Sequence, residues 1–391
     1  MFRYNTTERL AEHNVALLNN NGTVGRYILV LSLACVGSFL QIIGVSWDVT
    51  SHLIRTPETF FTPSHSLLYS GVGLLFLAAI MGAKLILTHK IDNMNPVIIS
   101  FKLLIIGSSL AIVAGPSDYA WHKAFGIDGL LSPTHFVLAT GIIINSLAVI
   151  IGLKRILMQV QSTFQISMIK FLAIPAFAAW WLTMIWYVYL FVLPLSNRSH
   201  FNFNLNPVTE SIIAITLLPI IDAVVLLIAV RTLNMKWSAT MITLLVVLIN
   251  TFTNIIPSNY LVPFLPMYIV LVVVGFLYDC MVQKSRSSVT GLNLEISCII
   301  SSAFVGSVFY ILAYPLLPIT FAEPLGFSFN SMSELHDNFM VTLPGMLLFT
   351  VPFGALMGSI GASVYFYVTK FLDSKDRIEK TLGTRSSGEY N

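Results

Sequence analysis

Long apolar runs of about twenty residues recur roughly ten times along this 391-residue chain. A run of that length crosses the hydrocarbon core of a bilayer as a helix. Lipid offers no partner to an unpaired backbone group, so only helices or closed barrels can span it. The composition agrees: 56% of residues are hydrophobic and 10% are charged, where soluble domains carry about 25% charged residues. The expected fold class is therefore all-α, a polytopic transmembrane helical bundle of about ten spans with the lipid bilayer as its first partner. The spans are expected over 25–54, 62–87, 96–115, 132–153, 169–194, 207–230, 236–256, 260–282, 292–316 and 338–371. The first of them is expected to serve as the targeting signal and to stay in place.

Charge fixes the expected orientation. With ten spans both termini share a side, and that side carries all of the 21 lysines and arginines except Arg55, Lys123 and Arg198. By the positive-inside rule the termini are expected to be cytoplasmic, in a cell membrane, with the first and second outer loops facing outward. The net charge of +3 is small, and no nucleic-acid partner is expected from it. Cys35, Cys280 and Cys298 lie in or at the ends of apolar spans without metal-binding or CxxC spacing, so they are expected to pack. No phosphate-binding glycine loop, nucleophile elbow or CxxCH is present, which leaves a nucleotide-driven pump or a c-type cytochrome unsupported.

Two outer loops carry the chemistry. The stretch from Trp47 to Gly71 returns, in pattern, from Ser117 to Gly141. At one constant offset Asp48 matches Asp118, His52 matches His122, and His65 matches His135. Each copy is Asp-x3-His-x12-His with Ser/Thr-Pro-x-His at its end. Asp and His at i and i+4 share one face of a helix. Thr62 and Ser132 are natural N-caps, and Pro63 and Pro133 suit the first helical position. The second histidine of each copy thus falls in the opening turn of the next helix. The spacing predicts two helical hairpins, each gathering one carboxylate and two imidazoles at its tip. Such a set suits copper, zinc or non-haem iron and leaves coordination positions open. For a single Asp-x3-His, helix capping at a membrane surface is the plainer reading; the duplication and the third ligand shift the balance toward metal.

The motif resembles that of the membrane-embedded C subunit of the copper membrane monooxygenases, the particulate methane and ammonia monooxygenases. The resemblance rests on Asp48, His52, Thr62, Pro63 and His65, on Tyr69 to Gly71, and on the Trp121-His122 pair of the second copy. It is confined to the two copies, Trp47 to Gly71 and Ser117 to Gly141. It implies copper bound within the membrane by Asp48, His52 and His65, and by Asp118, His122 and His135. It also implies an oxidative complex with other membrane subunits as partners.

The chain is accordingly divided into an N-terminal arm (1–24), a duplicated metal-hairpin module (25–155), a six-span scaffold (156–371) and a tail (372–391) that is expected to be disordered. Prolines 207, 266 and 344 stand near the expected outer starts of later spans, as Pro63 and Pro133 do. Asp222, deep in the sixth span, reads either as a proton or ion relay or as a buried hydrogen bond to a neighbouring helix. A relay would fit a transporter or channel for a metal ion or small solute, with the histidines as its outer capture site. Glu210, at the expected outer start of the sixth span, reads either as a contributor to a metal site or, in the favoured reading, as a favourable charge near a helix N-terminus. His200 and His336-Asp337 are expected to share the outer face with the two motifs, where they read either as further members of a metal site or, as loop histidines usually are, as solvated. Asn250, Thr251, Thr253 and Asn254 are expected to bond between helices.

Overall fold

The computed structural model describes residues 21–53, 59–88, 96–125, 130–193, 205–286, 291–309, 320–321, 324 and 334–386. Its described residues form ten α-helices and no strand. In order they are α1 (Asn21–Leu53), α2 (Pro63–Thr88), α3 (Pro96–Phe125), α4 (Pro133–Leu157) and α5 (Thr163–Val192). Then follow α6 (Pro207–Leu233), α7 (Ser238–Ile255), α8 (Leu265–Arg286), α9 (Gly291–Ser307) and α10 (Leu335–Ser386). Among the described residues nine helices are long and apolar enough to cross a membrane, and a shorter apolar helix, Leu294–Ser307, stands at the expected ninth span. The chain is a multi-pass helical bundle. Of that expected ninth span, 310–316 lies outside the described residues.

Local signals set the helix ends. Ser132 caps α4 by accepting from the His135 backbone N–H, with Pro133 first in the helix, and Asn206-Pro207 opens α6 in the same way. Asn234, in the left-handed conformation at φ 48°, closes α6. Two sequence expectations change at the C-terminal end. Pro344 lies inside α10 rather than near its start, because that helix already begins at Leu335. The tail after Phe371, expected to be disordered, continues α10 to Ser386.

The duplication reaches well below the polar tips. α1 and α2 form one antiparallel hairpin, α3 and α4 a second, and α2 packs on α3. Each hairpin crosses where two glycines face each other. A Cβ on Gly71 would stand 2.6 Å from the Gly37 carbonyl oxygen, and one on Gly141 would stand 2.8 Å from that of Gly107. Gly37 matches Gly107, and Gly71 matches Gly141, at the same offset as the Asp/His motif. Glycine at a crossing lets two backbones approach closely, and in lipid that packing drives helix association.

α5 is the pillar between this module and the second half. It packs on α1, α4, α6 and α7, and its buried residues run all round the helix, from Ala173 and Phe177 to Val188 and Val192. Asp222 of α6 is fully buried and accepts a hydrogen bond from Trp181 Nε1 at 2.7 Å. Asp279 of α8, also buried, accepts from the Thr240 N–H and hydroxyl, both at 2.8 Å, and so satisfies the start of α7 from a neighbouring helix. All three cysteines are free thiols.

Candidate metal centre

The last turns of α1 carry Asp48 and His52 one helical turn apart, and the first turn of α2 carries His65. The His65 and Asp48 side chains meet at 3.0 Å, Nε2 to Oδ1, while His52 Nε2 lies 3.5 Å from Asp48 Oδ2. The carboxylate therefore stands between two imidazoles, one on each oxygen. Ser64 donates its hydroxyl to Asp48 Oδ1 at 3.0 Å and lies 3.3 Å from the Thr62 hydroxyl. On the far side of the His65 ring, Nδ1 is 3.0 Å from the Thr59 carbonyl oxygen.

The second copy repeats this arrangement, except that the carbonyl beside its second histidine lies five residues upstream rather than six. His135 Nε2 is 3.3 Å from Asp118 Oδ1, and His122 Nε2 is 3.4 Å from Asp118 Oδ2. Thr134, matching Ser64, donates to Asp118 Oδ1 at 2.6 Å and lies 3.1 Å from the Ser132 hydroxyl. His135 Nδ1 is 3.0 Å from the Leu130 carbonyl oxygen.

These contacts constrain the protons. A carbonyl oxygen only accepts, so Nδ1 of His65 and of His135 carries the N–H. In the neutral ring Nε2 then presents a lone pair, aimed at a carboxylate oxygen 3.0 Å away in His65 and 3.3 Å away in His135. Two lone pairs at that distance repel unless a proton or a cation lies between them. A tetrahedral ion with bonds of about 2.0–2.1 Å would hold its ligands about 3.3 Å apart, and the four N···O separations, 3.0 to 3.5 Å, bracket that value. Nδ1 bonded to a carbonyl is also the usual second contact of a metal-ligating histidine, since it fixes the tautomer.

The two triads adjoin. His52 faces both second-copy imidazoles, at ring-centroid separations of 5.8 Å to His122 and 6.1 Å to His135, and the latter two stand 5.3 Å apart. Cavities open on both sides. A small one of about 60 Å³, lined by Asp48, His52 and His135 with Ile42, Ile142 and Trp186, runs between α1, α4 and α5. A larger one of about 310 Å³ is bounded by His65, Tyr69, Asp118, Tyr119, His122 and Lys123. Tyr69, whose ring stacks on His65 at 5.8 Å, also lines a third cavity shared by Asp48 and Asp118.

The copies differ in how they are held. The end of α1 is gripped from two helices of the second half, α5 and α7. Trp186 Nε1 donates to Ser46 at 2.7 Å, Trp47 meets Phe252 edge-on at 5.4 Å, and Thr50 donates to Asn254 at 2.8 Å. Asn254 in turn donates to Tyr268 of α8 at 2.8 Å. The matching residues of α3, Pro116, Ser117 and Ala120, are exposed. Of the four polar residues expected to bond between helices, Asn254 does so, whereas the buried Thr253 hydroxyl meets no hydrogen-bond partner among the described residues.

Other sequence candidates fall elsewhere. Asp222 is bonded to Trp181 and, like Glu210 in the opening turn of α6, lines none of the three cavities at the triads. His336 lies against Phe264 at 5.2 Å, and its neighbour Asp337 is solvent-facing. His200 lies outside the described residues. The Ser64 and Thr134 hydroxyls and Tyr69 are not among the ligand candidates read from the motif. The hydroxyl shared at the x of both Thr/Ser-Pro-x-His segments is the signal that points to the first two.

Those hydroxyls orient the carboxylates, and partners of this kind are worth about 10–100-fold in metal affinity. Ser64→Ala and Thr134→Ala are each expected to weaken binding by about 10-fold or more at unchanged stoichiometry, measured by competition with a chelator of known affinity. Affinity unchanged in both variants would remove the hydroxyls from the site.

Comparison with known proteins finds no matching family model, no similar curated protein and no similar solved structure.

Proposed function

We propose that this chain is an integral membrane protein that binds transition metal, copper foremost, through Asp48, His52 and His65 and through Asp118, His122 and His135. The observation that carries the reading is the twice-repeated geometry: a carboxylate between two Nε2 atoms, with each Nδ1 of His65 and His135 committed to a carbonyl. A set of imidazole nitrogen and carboxylate oxygen accepts copper, and also zinc or iron. A bound ion would supply Lewis acidity or a redox centre beside apolar walls. Asp48 and Asp118 would balance its charge, Ser64 and Thr134 would orient those carboxylates, and Thr59 and Leu130 would hold the imidazoles in one tautomer.

The resemblance to the monooxygenase C subunit supports a role in an oxidative membrane complex, or in supplying copper to one, with other membrane subunits as partners. The lysine and arginine distribution supports cytoplasmic termini and a centre near the outer face of the cell membrane. A transport role is less favoured, since Asp222, the deep carboxylate it would use, lines none of the three cavities at the triads.

The test is metal analysis of the folded, detergent-purified chain after loading with copper, zinc or iron(II) and desalting. At least one equivalent of copper is expected to remain bound. A folded protein that retains none of the three metals would refute metal binding as its function.

A further inference from the structure

We propose that the first ion taken up is held by three imidazoles drawn from both copies, His52 with His122 and His135, rather than by either Asp/His/His triad on its own. A ring nitrogen of each lies within 4.8 Å of the other two. Ligands of a tetrahedral ion at about 2.0–2.1 Å stand about 3.3 Å apart, so shifts of about an ångström close the set. His52 sits at the end of the helix gripped through Ser46, Trp47 and Thr50, and His135 is fixed by Leu130. The trio thus combines imidazoles from the two hairpins at their point of contact. His52 and His135 also share the small apolar cavity between α1, α4 and α5.

His65 is placed differently. It stacks on Tyr69 and does not line the small cavity that His52 and His135 share, although it meets His135 and His122 at the two larger ones. Three neutral nitrogens suit copper or zinc and leave a fourth position open. Asp48 and Asp118, each in contact with a member of the trio, supply the counter-charge. The consequence is that the two triads are not independent. An ion in the trio takes one histidine from the first copy and both from the second, so the chain has one tight site where the motif count suggests two. This inference rests on the metal-binding reading above.

The test is titration of the full-length folded chain with copper(II), read by calorimetry and by nitrogen hyperfine structure in electron paramagnetic resonance. Wild-type protein is expected to bind one tight equivalent with three nitrogens. His52→Ala, His122→Ala and His135→Ala are each expected to weaken that equivalent by about 100-fold or more, beyond the roughly 10–100-fold range of outer-shell partners, while His336→Ala, at a ring outside the cluster, keeps it within about threefold. Glutamine variants at the same positions take the place of any alanine variant that fails to fold. Two tight equivalents in wild type, with His52→Ala and His65→Ala each removing one and leaving the other, would overturn the shared trio while leaving metal binding intact. Absence of any copper from the folded wild-type chain would instead overturn the metal-binding reading, and the trio with it.

Discussion

The double substitution His52→Ala with His135→Ala is expected to abolish retention of copper through desalting. It leaves each copy one carboxylate and one imidazole, and it takes two of the three rings from the cluster where the hairpins touch. Losing a direct ligand from each set exceeds the loss of an outer-shell contact, which already costs about 10–100-fold, so the combined loss is expected to pass about 1,000-fold. Neither ring belongs to the helix crossings, so far-ultraviolet circular dichroism is expected to remain that of wild type. His336→Ala is the matched control, because that ring lies against Phe264 and outside the cluster. Metal content at wild-type level in the double variant would place the ion somewhere else in the chain.

Gly71→Leu is expected to disrupt the first hairpin, and Gly73→Leu, on the same helix, to leave it intact. A Cβ at Gly71 would stand 2.5 Å from the Gln41 backbone nitrogen and 2.6 Å from the Gly37 carbonyl oxygen. Both are main-chain atoms of α1 and can move only if the two helices separate. Overpacking of a tight interior costs about 1–3 kcal/mol, occasionally more, and a leucine at a backbone-to-backbone crossing belongs at the upper end. A Cβ at Gly73 meets nothing within 4 Å, and replacing an exposed helical glycine gains up to about 1 kcal/mol of helix propensity. Thermal unfolding in detergent separates the two: Gly71→Leu lowers the midpoint or prevents folding, and Gly73→Leu does neither. A wild-type midpoint for Gly71→Leu would contradict the close crossing of α1 on α2. Because α1 carries Asp48 and His52 while α2 carries His65, spreading this crossing also pulls the first triad apart.

The local parts of the centre were legible in the sequence because each depends on short-range rules. The i,i+4 spacing places Asp48 with His52 on one face, and Ser132-Pro133 starts a helix that presents His135 in its first turn. The glycine pairs obey the same offset as the motif and were readable in principle. They carry no polar chemistry, however, and their role emerges only when two backbones are seen to meet.

What the sequence could not display is long-range. The approach of His52 to His122 and His135 depends on how one hairpin lies against the other, which no spacing within a hairpin encodes. The hydrogen bond that Asp222 accepts comes from Trp181, 41 residues away. Likewise, Thr50 reaches Asn254 across 204 residues. That bond explains why the first copy is anchored in the second half of the chain while the second copy is exposed at the matching positions of α3.

X-ray absorption at the copper edge of the loaded, full-length protein tests the central claim most directly. A first shell of nitrogen and oxygen at about 2.0–2.1 Å is expected, with the multiple-scattering pattern of two or three imidazoles, lost in the His52→Ala/His135→Ala chain. A first shell dominated by sulfur at about 2.3 Å would put the metal on cysteine or methionine and contradict a histidine and aspartate centre at the hairpin tips.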